Sequence, residues 1–121
     1  MSAIAQPRPS FSWVRALQDI PRSHLRDLPG STPCVYFVEE EGGYVKIGLS
    51  HVAYVLNRVI GLQNANPRKL TLRRIVEGDF VAEDRLHRYF EHLHVRGEWF
   101  TVDDELAAVA RIPRAPSDGR A

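Results

Sequence analysis

The sequence predicts an α+β domain in which three strands and three helices follow an N-terminal helical arm in the order β-β-α-β-α-α. Two observations lead to this prediction. First, two short runs of β-branched and aromatic residues flank a connector of hairpin length, which predicts two paired strands. Second, two stretches with apolar residues at three- and four-residue spacing, typical of helices, lie on either side of a third predicted strand with alternating residues. The 121 residues suffice for one domain, and 44% hydrophobic with 26% charged residues is ordinary for a globular chain.

Composition excludes several classes of protein. No apolar run approaches the roughly 18 residues that a membrane span requires, and Pro7, Arg8 and Pro9 interrupt any signal-peptide core. Cys34 is the single cysteine, so the chain forms neither an internal disulfide nor a Cys-rich zinc knuckle. We therefore expect a soluble, cytoplasmic protein without a membrane partner.

Both ends of the chain are rich in Pro, Arg, Ala and Ser and lack periodicity, which predicts frayed or disordered termini. Between Phe11 and Leu28 apolar residues recur at loosely helical spacing, and Pro21 divides the segment into two short helical pieces. The predicted organisation is a helical arm with its linker, a folded domain and a disordered tail, at residues 1–32, 33–111 and 112–121.

Three segments have the composition of strands. Cys34–Val38 and Tyr44–Gly48 are apolar, β-branched and aromatic, and the connector between them ends in two glycines. Such a short connector joins antiparallel neighbours. Leu70 and Leu72 alternate with polar residues and indicate a third strand within residues 69–76.

Three further segments have helical features. Ser50 is placed to cap the first helix, which should stop near Pro67, and Asp79 is placed to cap the second. The first helix carries an apolar stripe of Val52, Val55, Leu56, Val59, Ile60 and Gln63. The buried side of the second comprises Phe80, Leu86, Tyr89, Phe90 and Leu93. An aromatic anchor and a last short helix with an acidic start follow, at Trp99–Phe100 and Val102–Ile112.

Charge is unevenly distributed along the chain, although the formal net charge is only +1. The segment from Lys46 to Arg96 contains nine basic and five acidic residues. This local excess of positive charge could allow one face of the domain to bind a polyanion. A solvated surface of mixed charge explains the same composition. We assign nucleic-acid contacts to Ser50, His51, Arg68, Lys69, Arg73, Arg74 and Arg88.

Three residues of this region could carry chemistry or be purely structural. Tyr36 and Lys46 lie on the two strands of the predicted hairpin, where Tyr36 could be a core or edge residue and Lys46 the outward residue of an alternating strand. Arg58 lies at the edge of the first helical stripe. Its stem could lie along the core, or its planar fork could hold a phosphate oxygen.

Glu83 and His87 are four residues apart on the second helix and share a face. A carboxylate and an imidazole can bind a divalent cation, and Mg²⁺ needs only one or two carboxylates when substrate phosphates supply other ligands. A negative charge at Glu83 is also favourable near a helix start without any metal. For His87 we favour a packed histidine bonded to a backbone carbonyl.

Taken in order, these residues resemble the GIY-YIG nuclease superfamily, and within it the T5orf172/Mug113-like branch, over about residues 33–106. Cys34-Val35-Tyr36 corresponds to the first signature tripeptide with Cys in place of Gly, and Lys46-Ile47-Gly48 to the second with Lys in place of Tyr. Arg58 matches the helix arginine and Glu83 the metal-binding glutamate. The other matching segments are Leu62-Gln63, Pro67, Leu70, Asp84–His87, Phe90 and Arg96-Gly97-Glu98-Trp99-Phe100.

The resemblance implies a small three-stranded antiparallel sheet flanked by helices and an endonuclease that hydrolyses phosphodiester bonds in DNA with one divalent ion, Mg²⁺ or Mn²⁺. In such an enzyme Glu83 holds the metal, Arg58 clamps the phosphate, and Tyr36 orients or deprotonates the attacking water. Lys46 attracts phosphate but acts as a base only if its pKa falls. The implied setting is a phage, a mobile element or a defence locus.

Three functions stay open on the sequence. The first is an active metal-dependent DNA endonuclease, with RNA as an alternative substrate. The second is a nucleic-acid-binding module that keeps the fold without cleavage, and the third is a subunit that uses the fold as a scaffold. Because no helix-turn-helix or zinc finger is recognisable, specificity is expected to depend on a homodimer or a partner protein.

Overall fold

The secondary structure comes from a computed structural model, which describes residues 11–114. The helices are α1 (Phe11–Arg15), α2 (Val55–Asn64), α3 (Phe80–Tyr89) and α4 (Asp104–Ala110). The strands are β1 (Pro33–Glu40), β2 (Tyr44–His51), β3 (Leu70–Glu77), β4 (His94–Arg96) and β5 (Trp99–Thr101). Short 3-10 helices cover Arg22–Asp27 and Glu91–Leu93. None of the helices within residues 11–114 is both long and apolar enough to cross a membrane.

The strands form one antiparallel sheet in the order β3-β1-β2-β5-β4. β1 pairs along nearly its whole length with β2 on one side and β3 on the other. It is the central strand, and both of its faces are covered, so Cys34 to Val38 are buried without interruption. This explains why β1 reads as a continuous apolar run rather than as an alternating one.

The prediction of a three-stranded sheet is wrong, because β4 and β5 add a second hairpin at the β2 edge. Its turn contains Gly97 at a φ of 55°, a left-handed conformation that favours glycine. Each of the two strands has three residues, too few for an alternating pattern to be visible in the sequence. The α+β class and the antiparallel β1–β2 pairing are confirmed.

Two hydrophobic layers pack on opposite faces of the sheet. Val35 and Phe37 of β1 face the layer that holds Leu86 of α3 and Leu106 of α4. The alternate residues of β1 face a second layer, which includes residues of α2 and of the first 3-10 helix: Cys34, Tyr36, Val38, Leu25 and Val55. The period of two along β1 therefore decides which side chains point towards α2 and which towards α3.

The N-terminal arm packs against β3. The amide of Ile20 donates to the carbonyl oxygen of Ile75 at 2.8 Å, and Ile20 itself is buried. At the other end Ile112, the first residue of the predicted tail, is also buried in the core. The predicted frayed residues 1–10 and the tail from 115 onward lie outside the described residues.

Several helix predictions change in detail. Ser50 does not cap α2, because β2 continues to His51 and the N-cap position is Tyr54, which makes no side-chain capping bond. Asp79 does cap α3, since its carboxylate accepts from the amide of Val81 at 2.9 Å. Three residues predicted to be buried are exposed instead: Leu56, Ile60 and Phe80.

Candidate functional site

The site forms where β5 stops beside β2. β5 pairs with β2 only as far as Lys46, opposite Trp99. At the next residue the amide of Ile47 donates to the carbonyl oxygen of Glu98 at 3.0 Å, and Nε2 of His87 bonds the carbonyl oxygen of Ile47 at 2.8 Å. The prediction of His87 as a packed histidine bonded to a backbone carbonyl is confirmed. This bond docks α3 on the edge of β2, one turn beyond Glu83.

Lys46 is held by two neighbours from the second hairpin. Its Nζ lies 2.9 Å from Oε1 of Glu98 and 5.7 Å from the ring centroid of Trp99. The Lys46 side chain is largely covered, so this ion pair is better shielded from water than a surface pair. Lys46 thus brings a fixed positive charge to the site.

Glu83 and Glu98 share a side-chain hydrogen bond. Burial raises the pKa of Glu83 to about 7, with help from the hydrogen bond and charge of Glu98. Burial acts to raise the pKa of Glu98 as well, but hydrogen bonds from Lys46 and Glu83 and the charge of Lys46 lower it below its ordinary value. The proton of the pair therefore resides on Glu83, because two adjacent carboxylates cannot both ionise cheaply.

Tyr36 reaches the site across β2, over Gly48. The two residues are directly paired in the β1–β2 ladder. A Cβ atom at position 48 would lie 2.4 Å from Cζ and 2.5 Å from the hydroxyl oxygen of Tyr36, so only glycine allows this ring position. Burial, together with the charges of Glu98 and Glu83, raises the pKa of Tyr36 to about 12, while the charge of Arg58 acts to lower it.

Arg58 comes from α2 and is exposed. Its charge acts on the Tyr36 hydroxyl. Within residues 11–114 no carboxylate forms an ion pair with Arg58, in contrast to Lys46, Arg73 and Arg74. The guanidinium is available for a ligand. Tyr36, Lys46, Arg58 and Glu83 come from four separate elements, and each interacts electrostatically with another of them or with Glu98.

The residues predicted to contact nucleic acid do not form one surface. Arg74 is a structural residue: its side chain is only 8% exposed, pairs with Asp19 and donates to the carbonyl oxygen of Val109 at 2.8 Å. Arg73 pairs with Glu39 at 2.7 Å. Arg88 pairs with Asp84, one turn earlier on α3.

The remaining four lie at two ends of the sheet. Ser50 and His51 are opposite the start of β1, and Ser50 is buried while His51 is exposed. Arg68 and Lys69 precede β3, whose first residue pairs with Glu40 at the end of β1. Both are exposed, and Arg68 lies 3.9 Å from Glu40.

The acidic pair fits a hard divalent cation. No group of three or more His, Cys, Asp or Glu side chains suited to a metal occurs in the described part of the chain. However, Oε2 of Glu83 is buried and receives no hydrogen bond there, and Glu98 adds a second carboxylate. Oxygen ligands from one or two carboxylates are sufficient for Mg²⁺, which retains several waters.

Glu98 is the residue that sequence reasoning did not assign to the site. It occurs in the Arg96–Phe100 segment, where the aromatic residues were the conspicuous signal. A position between Gly97 and a strand is compatible with a charged turn residue. Only the pairing of β5 with β2 places its side chain beside Lys46.

Comparisons with protein-family models, with curated proteins and with solved structures find no match for this chain.

Proposed function

We propose that the protein is a divalent-metal-dependent endonuclease of the GIY-YIG type, which hydrolyses phosphodiester bonds in DNA. One observation carries the proposal: Lys46 pairs with Glu98 at 2.9 Å, and the charges of Glu98, Arg58 and Glu83 all act on Tyr36. Hydrolysis of one phosphodiester requires the phosphate-binding, water-orienting and charge-stabilising groups to lie around one phosphate.

Arg58 binds the phosphate. It is the exposed cation of the site, and its planar fork can donate two parallel hydrogen bonds to phosphate oxygens. Lys46 contributes a second positive charge, whose position Glu98 maintains. Together the two cations offset the negative charge that builds up on the phosphate during attack.

Tyr36 orients the attacking water through its hydroxyl group. With a pKa of about 12, the phenol is neutral at physiological pH, so it positions the water, and the proton released on attack passes to bulk solvent. Gly48 supports this role, because its lack of a side chain allows the ring to lie across β2.

Glu83 would hold Mg²⁺ or Mn²⁺, and Glu98 would supply a second oxygen donor beside it. When bound, the cation supplies Lewis-acid stabilisation of the leaving oxygen. Glu83 must lose its proton to serve as a ligand. The neighbouring positive charge of Lys46 favours that ionisation.

A nucleic-acid-binding module without cleavage is the second candidate. It is favoured by the state of the two signature residues: Lys46 is already paired with Glu98, and the pKa of Tyr36 is raised. Neither is therefore poised as a general base near neutral pH.

The wider setting is part of the same proposal. We place the protein in the cytoplasm, where its free, buried Cys34 stays reduced. Target specificity comes from a second copy of the chain or from a partner protein. A phage, mobile element or defence locus is the proposed setting, and DNA is preferred to RNA as substrate.

Plasmid nicking tests the proposal. The full chain is incubated with supercoiled plasmid and with branched DNA in Mg²⁺, in Mn²⁺ and in chelator, beside Glu83→Ala and the exposed control Glu91→Ala. We expect both the wild type and the Glu91→Ala control to nick the plasmid, and we expect chelator to stop this nicking. Glu83→Ala should lose nicking by orders of magnitude and retain DNA affinity. Absence of nicking by wild type with either metal would favour the binding module, and equal nicking by wild type and Glu83→Ala would refute the site.

A further inference from the structure

Two large aromatic side chains stand in solvent one helical turn from site residues. Tyr54 is 65% exposed and is the N-cap residue of α2, four residues before Arg58, whose amide donates to the carbonyl oxygen of Tyr54. Phe80 is 68% exposed and precedes Glu83 by three residues on α3. Residues three apart share a helix face, so Phe80 lies on the flank of α3 that carries Glu83, while Tyr54 lies at the start of α2, one turn before Arg58.

The surroundings of Tyr54 argue against an ordinary apolar docking face. The exposed apolar residues of α2, Leu56 and Ile60, are each two positions from Arg58 and therefore lie on the opposite flank of the helix from it. On the Arg58 flank the exposed neighbour Asn57 is polar, and beside Phe80 the exposed residues are the charged Asp84 and the apolar Val81. An aromatic ring beside an unpaired guanidinium is typical of surfaces that bind nucleic-acid strands, where bases stack and cations hold the backbone.

We propose that Tyr54 and Phe80 are stacking platforms for unpaired bases that flank the phosphate held by Arg58, so that the preferred substrate is DNA with a single-stranded segment. The inference rests on the proposed function and adds the substrate class. Bases inside a duplex expose only their edges, whereas unpaired bases offer the faces on which a ring stacks. The free charge of Arg58 complements the phosphate between them.

Fluorescence anisotropy in chelator, which measures binding without cleavage, tests the inference. The probes are a fluorescein-labelled oligothymidylate, an abasic strand of the same length and charge, and a blunt duplex. We expect wild type to prefer the strand that carries bases. Tyr54→Ala should weaken binding of that strand about tenfold and leave the abasic strand unaffected. Phe80→Ala should act in the same direction, while Tyr54→Phe retains the ring and the affinity. Ile60→Ala, which also shortens an exposed side chain of α2, is the matched control.

The outcomes separate this inference from the proposed function. Equal affinity for base-bearing and abasic strands, tighter binding of the duplex, or an unchanged dissociation constant in the Tyr54→Ala, Phe80→Ala double variant would overturn it. If Arg58→Ala weakens binding of both strands while the aromatic substitutions change nothing, the nuclease site stands and only the stacking platform fails. If Arg58→Ala changes nothing and no DNA is nicked, the proposed function fails as well.

Discussion

Nζ of Lys46 lies 2.9 Å from Oε1 of Glu98. This ion pair joins β2 to the turn that precedes β5. Glu98 also shares a hydrogen bond with Glu83 of α3. A single carboxylate thus fixes the site lysine and controls the protonation of the proposed metal ligand. Four predictions follow from this arrangement and from the residues around it.

Glu98→Gln should lower the pKa of Glu83 from about 7 towards its ordinary value. The substitution removes the negative charge that disfavours ionisation of Glu83, and it frees Lys46 to act on Glu83 alone. NMR titration of the carboxyl carbons in glutamate-labelled protein measures the change in the pKa of Glu83. Glu91→Gln, which also replaces one glutamate by glutamine, is the control. An unaltered Glu83 titration in Glu98→Gln would show that the two carboxyl groups are not coupled.

The raised pKa of Glu83 should also make stability depend on pH. Glu83 titrates near 7 when folded and near 4.5 when unfolded, so between these values the folded state binds more protons. Its contribution to stability is therefore present below about pH 4.5 and is lost as pH rises through 7. The lowered pKa of Glu98 affects stability only at pH values below the ordinary pKa of a glutamate, which is a separate pH range from that of Glu83.

Urea unfolding at several pH values measures this effect. Glu83→Gln keeps a neutral hydrogen-bonding group and should lose the decline in unfolding free energy that wild type shows between pH 4.5 and 7. The difference between the two proteins cancels titration of the histidines. Parallel stability curves across that range would contradict the prediction.

Gly48→Ala should displace Tyr36 and abolish nicking. The added methyl group meets the Tyr36 ring at 2.4 Å, and overpacking of this kind costs about 1–3 kcal/mol. Gly61→Ala is the control, because a Cβ there meets nothing within 4 Å and alanine favours a helix by about 1 kcal/mol. Thermal unfolding and plasmid nicking are measured for both. Normal nicking by Gly48→Ala would mean that the position of the Tyr36 hydroxyl is not needed.

Arg74→Ala should affect stability and Lys69→Ala should affect DNA binding, although the sequence predicts nucleic-acid contacts for both residues. Arg74 pairs with Asp19 and bonds the Val109 carbonyl while nearly buried, so its loss should cost about 1–3 kcal/mol of stability. Lys69 is exposed and without an ion pair within residues 11–114. Its loss should leave stability unchanged, weaken DNA binding and reduce the salt slope by about 1.

Binding titrations over a range of salt concentrations, with urea unfolding in parallel, distinguish the two. Wild-type affinity should fall steeply with salt because phosphate contacts release counterions. A salt slope unchanged in Lys69→Ala would remove that residue from the binding surface. A stable Arg74→Ala protein with a reduced slope would restore Arg74 to it.

The local sequence was sufficient to predict those features that depend on residues within a single helix or strand. Runs of β-branched and aromatic residues located β1 and β2, and alternating leucines located β3. Asp79 identified the start of α3, and His87 was predicted as a packed residue. These features depend on propensity, capping and periodicity over a few neighbouring residues. The sequence also supplied Tyr36, Lys46, Arg58 and Glu83 as candidate site residues, whose roles in phosphate and metal chemistry stay predictions.

Only the tertiary structure decided what these residues contact. The β4–β5 hairpin is too short to have a period, yet its pairing with β2 places Glu98 beside Lys46 and makes the sheet five-stranded. Arg58 and Arg74 are the same residue type on the same chain, but Arg74 is enclosed by Asp19 and Val109, while Arg58 is exposed and forms no ion pair with any residue from 11 to 114. Pairing across strands and packing between layers join residues that are distant in sequence, and no local pattern encodes which cation meets which carboxylate.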